Sequence, residues 1–300
     1  MRLCWAPLTE DDGRAQQLVE ARRDIGAALS LTIGPARGEI VVGVVVSQSG
    51  PVSSIGIPYG RGINAGYAYV SETGGEKIRI IQLEDGSDPS TATKNARKLI
   101  EEDKVDILLG TAGAPATAAM IGVATEQRVP MIALSPVPSV QKVDGIAWAI
   151  SVPQPPSLMV GALINPDFVR LAGKSAEGLI ASTGPIMVLD QLPDDHPNKK
   201  IGLAFKEAHL KANDVPSNDG FSAYSFDAWL IFVDAAKRAL ARAKPGTSQF
   251  RTALREAIYS TSDLVGTHGV YNYRPESHWG TDKRALVLVR LEQGQWKLFK

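Results

Sequence analysis

Between Glu39 and Leu134, short apolar runs alternate with amphipathic stretches at a steady interval. Ile40–Val46 (IVVGVVV) contains no polar residue and is β-branched apart from Gly43, the pattern of a strand buried on both faces. A turn-rich loop, Ser47–Pro58, follows. Tyr59–Ser71, rich in Ala and Gly, predicts a helix with Pro58 in its first turn and Gly74-Gly75 past its end. Lys77–Leu83 (KIRIIQL) predicts the next strand. Asp88-Pro89-Ser90 opens a helix in which Ala92, Ala96, Leu99 and Ile100 share one face. Val105–Leu109, Pro115–Gln127 and Pro130–Leu134 then predict strand, helix and strand. Strand, loop and helix repeated three times imply βαβ units, hence an α/β fold with a doubly wound parallel sheet.

The second half is less regular. Trp148–Val152 predicts a strand, and three prolines in Val152–Pro156 suggest a linker. Asp167–Ala172 predicts a short helix, Glu177–Ser182 a strand and Pro193–Pro197 a loop. Lys199–Ala212 and Phe221–Ala243 predict helices, the second with Tyr224, Ala228, Ile231, Ala235 and Ala239 at helical spacing. Gly246–Ile258 predicts another, with Thr247 suited to its N-cap. Val270–Tyr273, Arg284–Arg290 and Gln295–Phe299 alternate like antiparallel strands, and Glu292–Gln295 reads as a hairpin turn.

Composition narrows the function classes. The 300 residues allow about two domains. Lys+Arg and Asp+Glu each number 32, so there is no basic surplus for a phosphate backbone and nucleic acid is not expected as the main partner. One cysteine, Cys4, excludes an internal disulfide framework and a cysteine-cluster metal site. No stretch approaches the ~20 apolar residues of a membrane span. Met1–Arg23 carries Glu10, Asp11 and Asp12 too early for a secretory signal. A second export candidate is Arg22-Arg23 followed by Ile25–Ile33, with Asp24 breaking the join; a helical extension or a mis-assigned start are the alternatives.

The chemical motifs favour structural readings. Gly60, Gly62 and Gly66 imitate a dinucleotide loop, but Val46 ends fourteen residues before Gly60, so a small-residue helix face is expected. Ala172-Gly173-Lys174-Ser175 imitates a P-loop whose upstream glycine position is Phe168. His268, Glu276, His278 and Asp282 form a polar cluster at the wrong spacing for a metal site, so loop hydrogen bonds are expected and no metal. Adjacent pairs such as Asp194-Asp195 point apart and suit solvent. No catalytic constellation appears, so an enzyme is not expected, nor a cofactor. Ligands of open α/β sheets bind outside the strand carboxyl ends. The loops there are Ser47–Gly56, Thr111–Ala114 and Ser135–Ser139, each leading into backbone N–H groups that could hold a carboxylate.

An ordered set of segments resembles the solute-binding proteins of ABC importers, of the leucine/isoleucine/valine-binding type. Gly43–Pro58 (GVVVSQSGPVSSIGIP) is similar to that family's first strand and ligand loop. Glu84–Pro89 resembles its second unit and Gly110–Ser135 its third. Asn165–Phe168, Leu171–Gly173, Ala176–Gly178, Gln191–Pro193 and Gly266–Asn272, with His278 and Gly280, follow in family order. The resemblance implies two α/β lobes closing on a small ligand, a membrane permease as partner and a periplasmic location, with a cytoplasmic sensor as an alternative. It implies an N-terminal extension over 1–38, lobe 1 over 39–150, lobe 2 over 151–219, and C-terminal helices and strands over 220–300 shared between lobes. The ligand contacts it implies are Gln48, Ser54, Ile55, Thr111, Gly113, Ala114, Ser135 and Val137.

Three departures qualify this. Family order breaks at Val160–Gly161, as though two or three βα units of lobe 2, roughly 60–100 residues at about 30 per unit, were absent. Ala112, Gly113, Ala114 and Val137 stand where the family usually has Ser or Thr. No carboxylate lies near Gly161, where an acidic residue often takes an amino group. The expected ligand is therefore less zwitterionic than an amino acid, such as an aliphatic or aromatic carboxylate; a degenerate member without ligand function is the alternative.

Overall fold

The apolar run after Gly38 forms the centre of a sheet. The computed structural model describes residues 38–155, 166–217 and 219–299. The export candidates, the extension and the Val160–Gly161 junction lie outside the described residues. Strands β1 (Glu39–Val46), β2 (Glu72–Thr73), β3 (Glu76–Glu84), β4 (Ile107–Gly110) and β5 (Met131–Ala133) are followed by a small hairpin, β6 (Lys142–Val143) and β7 (Ile146–Ala147), and by β8 (Ala149–Ser151). The large sheet runs β2-β3-β1-β4-β5-β8, parallel except for the short β2.

Helices cover both faces: α1 (Ser53–Tyr69), α2 (Pro89–Glu101) and α3 (Ala114–Glu126). They are followed by α4 (Pro166–Ala172), α5 (Lys199–Asn213), α6 (Gly220–Leu240) and α7 (Ser248–Tyr259). Period-two alternation in β1 assigns the faces. Ile40, Val42, Val44 and Val46 pack with Trp229 and Phe232 of α6. Val45, on the other face, packs with Leu99 of α2 and Met120 of α3. Asp88 caps α2 by accepting from the Thr91 N–H at 2.7 Å, and Thr247 caps α7 by accepting from the Phe250 N–H at 3.1 Å.

The helix expected from Tyr59 begins at Ser53 and contains Pro58. Tertiary contact sets this earlier start. Gly56 lies against the Ser47 backbone, where a Cβ would fall 1.9 Å from the Ser47 oxygen, so the first turn of α1 folds directly onto the end of β1. Further along, a Cβ on Gly62 would meet the Ser222 oxygen at 2.0 Å, and one on Gly66 would meet Trp229 at 2.5 Å. Two of the three glycines that imitate a dinucleotide loop, Gly62 and Gly66, are thus the surface on which α6 lies, while Gly60 faces Gln48 and Gln82.

The carboxyl-terminal third builds a small antiparallel sheet. It is made of β9 (Ile180–Thr183), β12 (Val287–Glu292) and β13 (Gln295–Leu298), while β10 (Leu264–Val265) and β11 (Val270–Tyr271) pair as a separate two-stranded ribbon. The order is β13-β12-β9. Gln293 and Gly294, at φ of 54° and 74°, make the tight turn between β12 and β13. Ile186, Leu189, Phe205, Phe226 and Val289 form the core beneath this sheet. Ile186 and Leu189 belong to a 3-10 segment, Pro185–Gln191, absent from the sequence expectation. Helix α6 is buried nearly all round: Trp229 and Phe232 enter the large core, Ala223 and Phe226 the small one.

Candidate functional site

Two helices start side by side at the carboxyl edge of the large sheet. Helix α1 follows β1 and α3 follows β4, so their N-termini open above the strand ends. Their N-caps, Val52 and Gly113, make no side-chain capping bond, and neither first turn holds an acidic residue. By contrast α2, α6 and α7 are capped by Asp88, Asp219 and Thr247. A Cβ on Gly113 would lie 3.7 Å from Val52 Cγ2, so the two starts adjoin. The first-turn N–H groups of Ser54, Ala114 and Ala116 and the two helix dipoles favour an anion at this spot, against the opposing charge of Asp85 beneath it.

The predicted contacts divide into two groups. Gln48, Ser54 and Ala114 are exposed, and Ile55 and Gly113 half-buried, at the mouth of these helices. Thr111, Ser135 and Val137 are buried beneath them. The Thr111 hydroxyl donates to Asp85 Oδ2 at 2.6 Å and lies 3.3 Å from the Ser47 hydroxyl. Its backbone oxygen accepts from the Thr117 hydroxyl at 3.1 Å. Thr111 therefore fixes the loop between β4 and α3. The Ser135 carbonyl accepts from the Ser151 hydroxyl at 3.4 Å, and the Val137 carbonyl lies 2.9 Å from His278 Nε2.

A second cluster faces this edge, and local sequence pattern did not reveal it. Tyr59 of α1 donates its hydroxyl to the Leu134 carbonyl and sets its ring edge-on against Phe221 of α6, 5.9 Å between centroids. The Tyr224 hydroxyl donates to Gln154, whose amide nitrogen donates to the Ala285 carbonyl at 3.1 Å. The His268 ring stacks on Tyr224 at 3.7 Å and 6°. His268 Nε2 lies 2.8 Å from the Gly220 carbonyl, while Nδ1 is buried without a partner. Burial pushes the imidazole pKa down to about 4.

Asp227, one turn along α6 from Tyr224, accepts from the Thr267 N–H at 2.6 Å, the His268 N–H at 3.0 Å and the Tyr271 hydroxyl at 2.8 Å. Burial nonetheless pushes its carboxyl up to about 6. The sequence signals that touch this cluster were Tyr224 at helical spacing, His268 in the polar motif and Gly266–Asn272 in family order, and none carried a role in it.

The other polar motif dissolves. His268 belongs to the stack, His278 meets the Val137 carbonyl, and Asp282 pairs with Arg284 at 2.8 Å. Among the described residues, no three His, Cys, Asp or Glu side chains could share a metal ion, and no helix is long and apolar enough to cross a membrane.

The sequence profile of the periplasmic binding protein family matches residues 39–150, the segment holding both uncapped helix starts. An amino acid binding protein of Pseudomonas aeruginosa is 30% identical over 78 residues, 25% of this chain and 21% of that protein. The match thus spans about a fifth of that relative's length. An extracellular ligand-binding receptor from Rhodopseudomonas palustris HaA2 is 27% identical, with a TM-score of 0.77, over 87% of this chain and 100% of the receptor. An ABC transporter solute-binding protein from R. palustris, solved with benzoate, shares the fold at 16% identity and a TM-score of 0.65, over 87% of this chain and 95% of its own. The chain thus has the α/β fold of the type I periplasmic binding proteins.

Proposed function

We propose that the chain is a periplasmic binding protein that serves as the solute-binding component of an ABC importer, working outside the cytoplasm and delivering its ligand to a membrane permease. The ligand is a small aliphatic or aromatic carboxylate. The observation that carries this reading is the pair of adjoining, uncapped and acid-free helix N-termini at the carboxyl edge of the large sheet. First-turn N–H groups of α1 and α3, those of Ser54, Ala114 and Ala116 among them, take the carboxylate. Each such charge-assisted bond contributes about 1.5–3 kcal/mol. Ile55 and Val52 offer apolar contact beside them. Ala112, Gly113, Ala114 and Val137 stand where the resemblance to the leucine-binding type leads one to expect Ser or Thr. That favours a ligand whose affinity comes from backbone donors and apolar burial. Benzoate in the distant R. palustris protein supports the same class.

The test is a thermal-shift screen of aliphatic and aromatic carboxylates, amino acids and neutral amides. A ligand present at a hundred times its Kd adds about 2.7 kcal/mol of stability. The reading expects carboxylates to raise Tm and their amides not to; a flat response across the panel sinks it. One observation favours a second reading, a shortened family member without ligand function. Among the described residues the small sheet has three antiparallel strands, and β9 at its edge pairs only with β12. Self-association of the purified chain with no ligand response would support that reading.

A further inference from the structure

A cavity of about 550 Å³ lies at the opposite end of the large sheet from the paired helix starts, between the end of α3 and the start of α7. Three guanidinium side chains line it, Arg128, Arg242 and Arg251, with hydroxyls from Ser248 and Thr252, and among the described residues no carboxylate does. The acids around it are already engaged. Glu256 pairs with Arg242 at 2.6 Å, and Glu126 pairs with Arg97 at 2.8 Å. Asp106, the acidic neighbour of Arg251, has one oxygen on the Gly246 N–H at 2.7 Å and the other on the Val41 N–H at 3.0 Å. Arg251 is partly buried, and its Nε is enclosed without a hydrogen-bond partner.

One turn along the same face of α7, Arg255 is 8% exposed with Nε and Nη1 likewise unpartnered, its guanidinium 4.2 Å from the Trp148 ring. Enclosing a cation without its counter-charge is costly unless something pairs with it. Arg128 stands at the rim directly after α3, at a left-handed φ of 54°. Arg128 makes no ion pair among the described residues, and the carboxylate beside Arg251, Asp106, already has both oxygens on backbone N–H groups; with the Ser248 and Thr252 hydroxyls lining the same concavity, the two guanidinium forks suit an oxyanion with several acceptor oxygens.

We infer that this cavity binds a multivalent oxyanion, of the kind presented by the phosphoryl group of a small metabolite. Arg128 and Arg251 hold the anion from opposite sides, and Ser248 and Thr252 take its remaining oxygens. The site is independent of the paired helix starts, and its test keeps the two apart. Inorganic phosphate and pyrophosphate are titrated calorimetrically and by thermal shift, with sodium chloride at matched ionic strength as reference. The full chain is compared with Arg128→Gln, Arg251→Gln and Gly113→Asp; the last places a carboxylate at the paired helix starts. The inference expects pyrophosphate to raise Tm beyond the chloride reference. It expects at least a tenfold loss of affinity in each arginine variant and an unchanged response in Gly113→Asp. Arg128 is exposed, so its variant is expected to fold even if Arg251→Gln does not. A response equal to chloride, one undiminished in Arg128→Gln, or one abolished by Gly113→Asp would overturn the inference.

Discussion

Asp227 and His268 carry opposed pH linkage on contacting segments. Burial raises Asp227 from 3.8 to about 6 and lowers His268 from 6.5 to about 4. Through the window from about pH 6 down to 4, native Asp227 holds a proton that the unfolded residue has released, so acidification stabilises the fold. Below about 6.5, unfolded His268 takes up a proton that the native ring refuses, so acidification destabilises it. At about 1.4 kcal/mol per pKa unit, each effect reaches roughly 3 kcal/mol and the two offset. Asp227→Asn removes the first and leaves the second. Its unfolding free energy in urea should therefore fall by about 3 kcal/mol more than the parent's between pH 7 and 4. Parallel pH profiles for parent and variant would contradict the pairing.

The packing of α1 on α6 is a close contact between elements that tolerates no added side chain. Gly66 has no room for a side chain beside Trp229, whereas Gly122 in α3 faces open space. Gly66→Ala should cost about 1–3 kcal/mol through overpacking. Gly122→Ala should add about 0.5–1 kcal/mol by restricting the unfolded chain. Chemical denaturation of the two variants reads both signs; equal effects would refute the close contact.

The same contact shows what the sequence could and could not convey. The run Ile40–Val46, the Asp88 cap and the Thr247 cap are local signals, and they appear where the pattern put them. The start of α1 was misplaced because Gly56 on the Ser47 backbone is a tertiary fact. The carboxyl-edge loops were legible from the βαβ rhythm alone. The bond from the Thr111 hydroxyl to Asp85 was not legible, because its acceptor lies 26 residues away in the chain. Tyr59, Gln154, Tyr224 and His268 come from four distant segments that meet only when α6 docks, so helical spacing marked Tyr224 as core and no more.

At the scale of the whole molecule, α6 joins the two cores. Unfolding the small sheet exposes Phe226, and unfolding the large sheet exposes Trp229 three residues on. The described chain should therefore unfold in one cooperative transition, with far-UV circular dichroism and tryptophan fluorescence coinciding in denaturant. Two separated midpoints would mean that the small sheet is an independent unit.

The central claim is that the paired helix starts hold a carboxylate, and Gly113 tests it. Its φ of −90° and ψ of 133° suit an aspartate N-cap, and the added Cβ meets only Val52 at ordinary contact distance. Gly113→Asp should leave stability unchanged or a few tenths of a kcal/mol higher. It should also fill the positive pole with a competing charge. Calorimetric titration of parent and variant with the best carboxylate from the screen is the decisive measurement. The account predicts at least a tenfold loss of affinity in a variant that melts no lower than the parent. Undiminished binding by the folded variant would place the ligand elsewhere and contradict it.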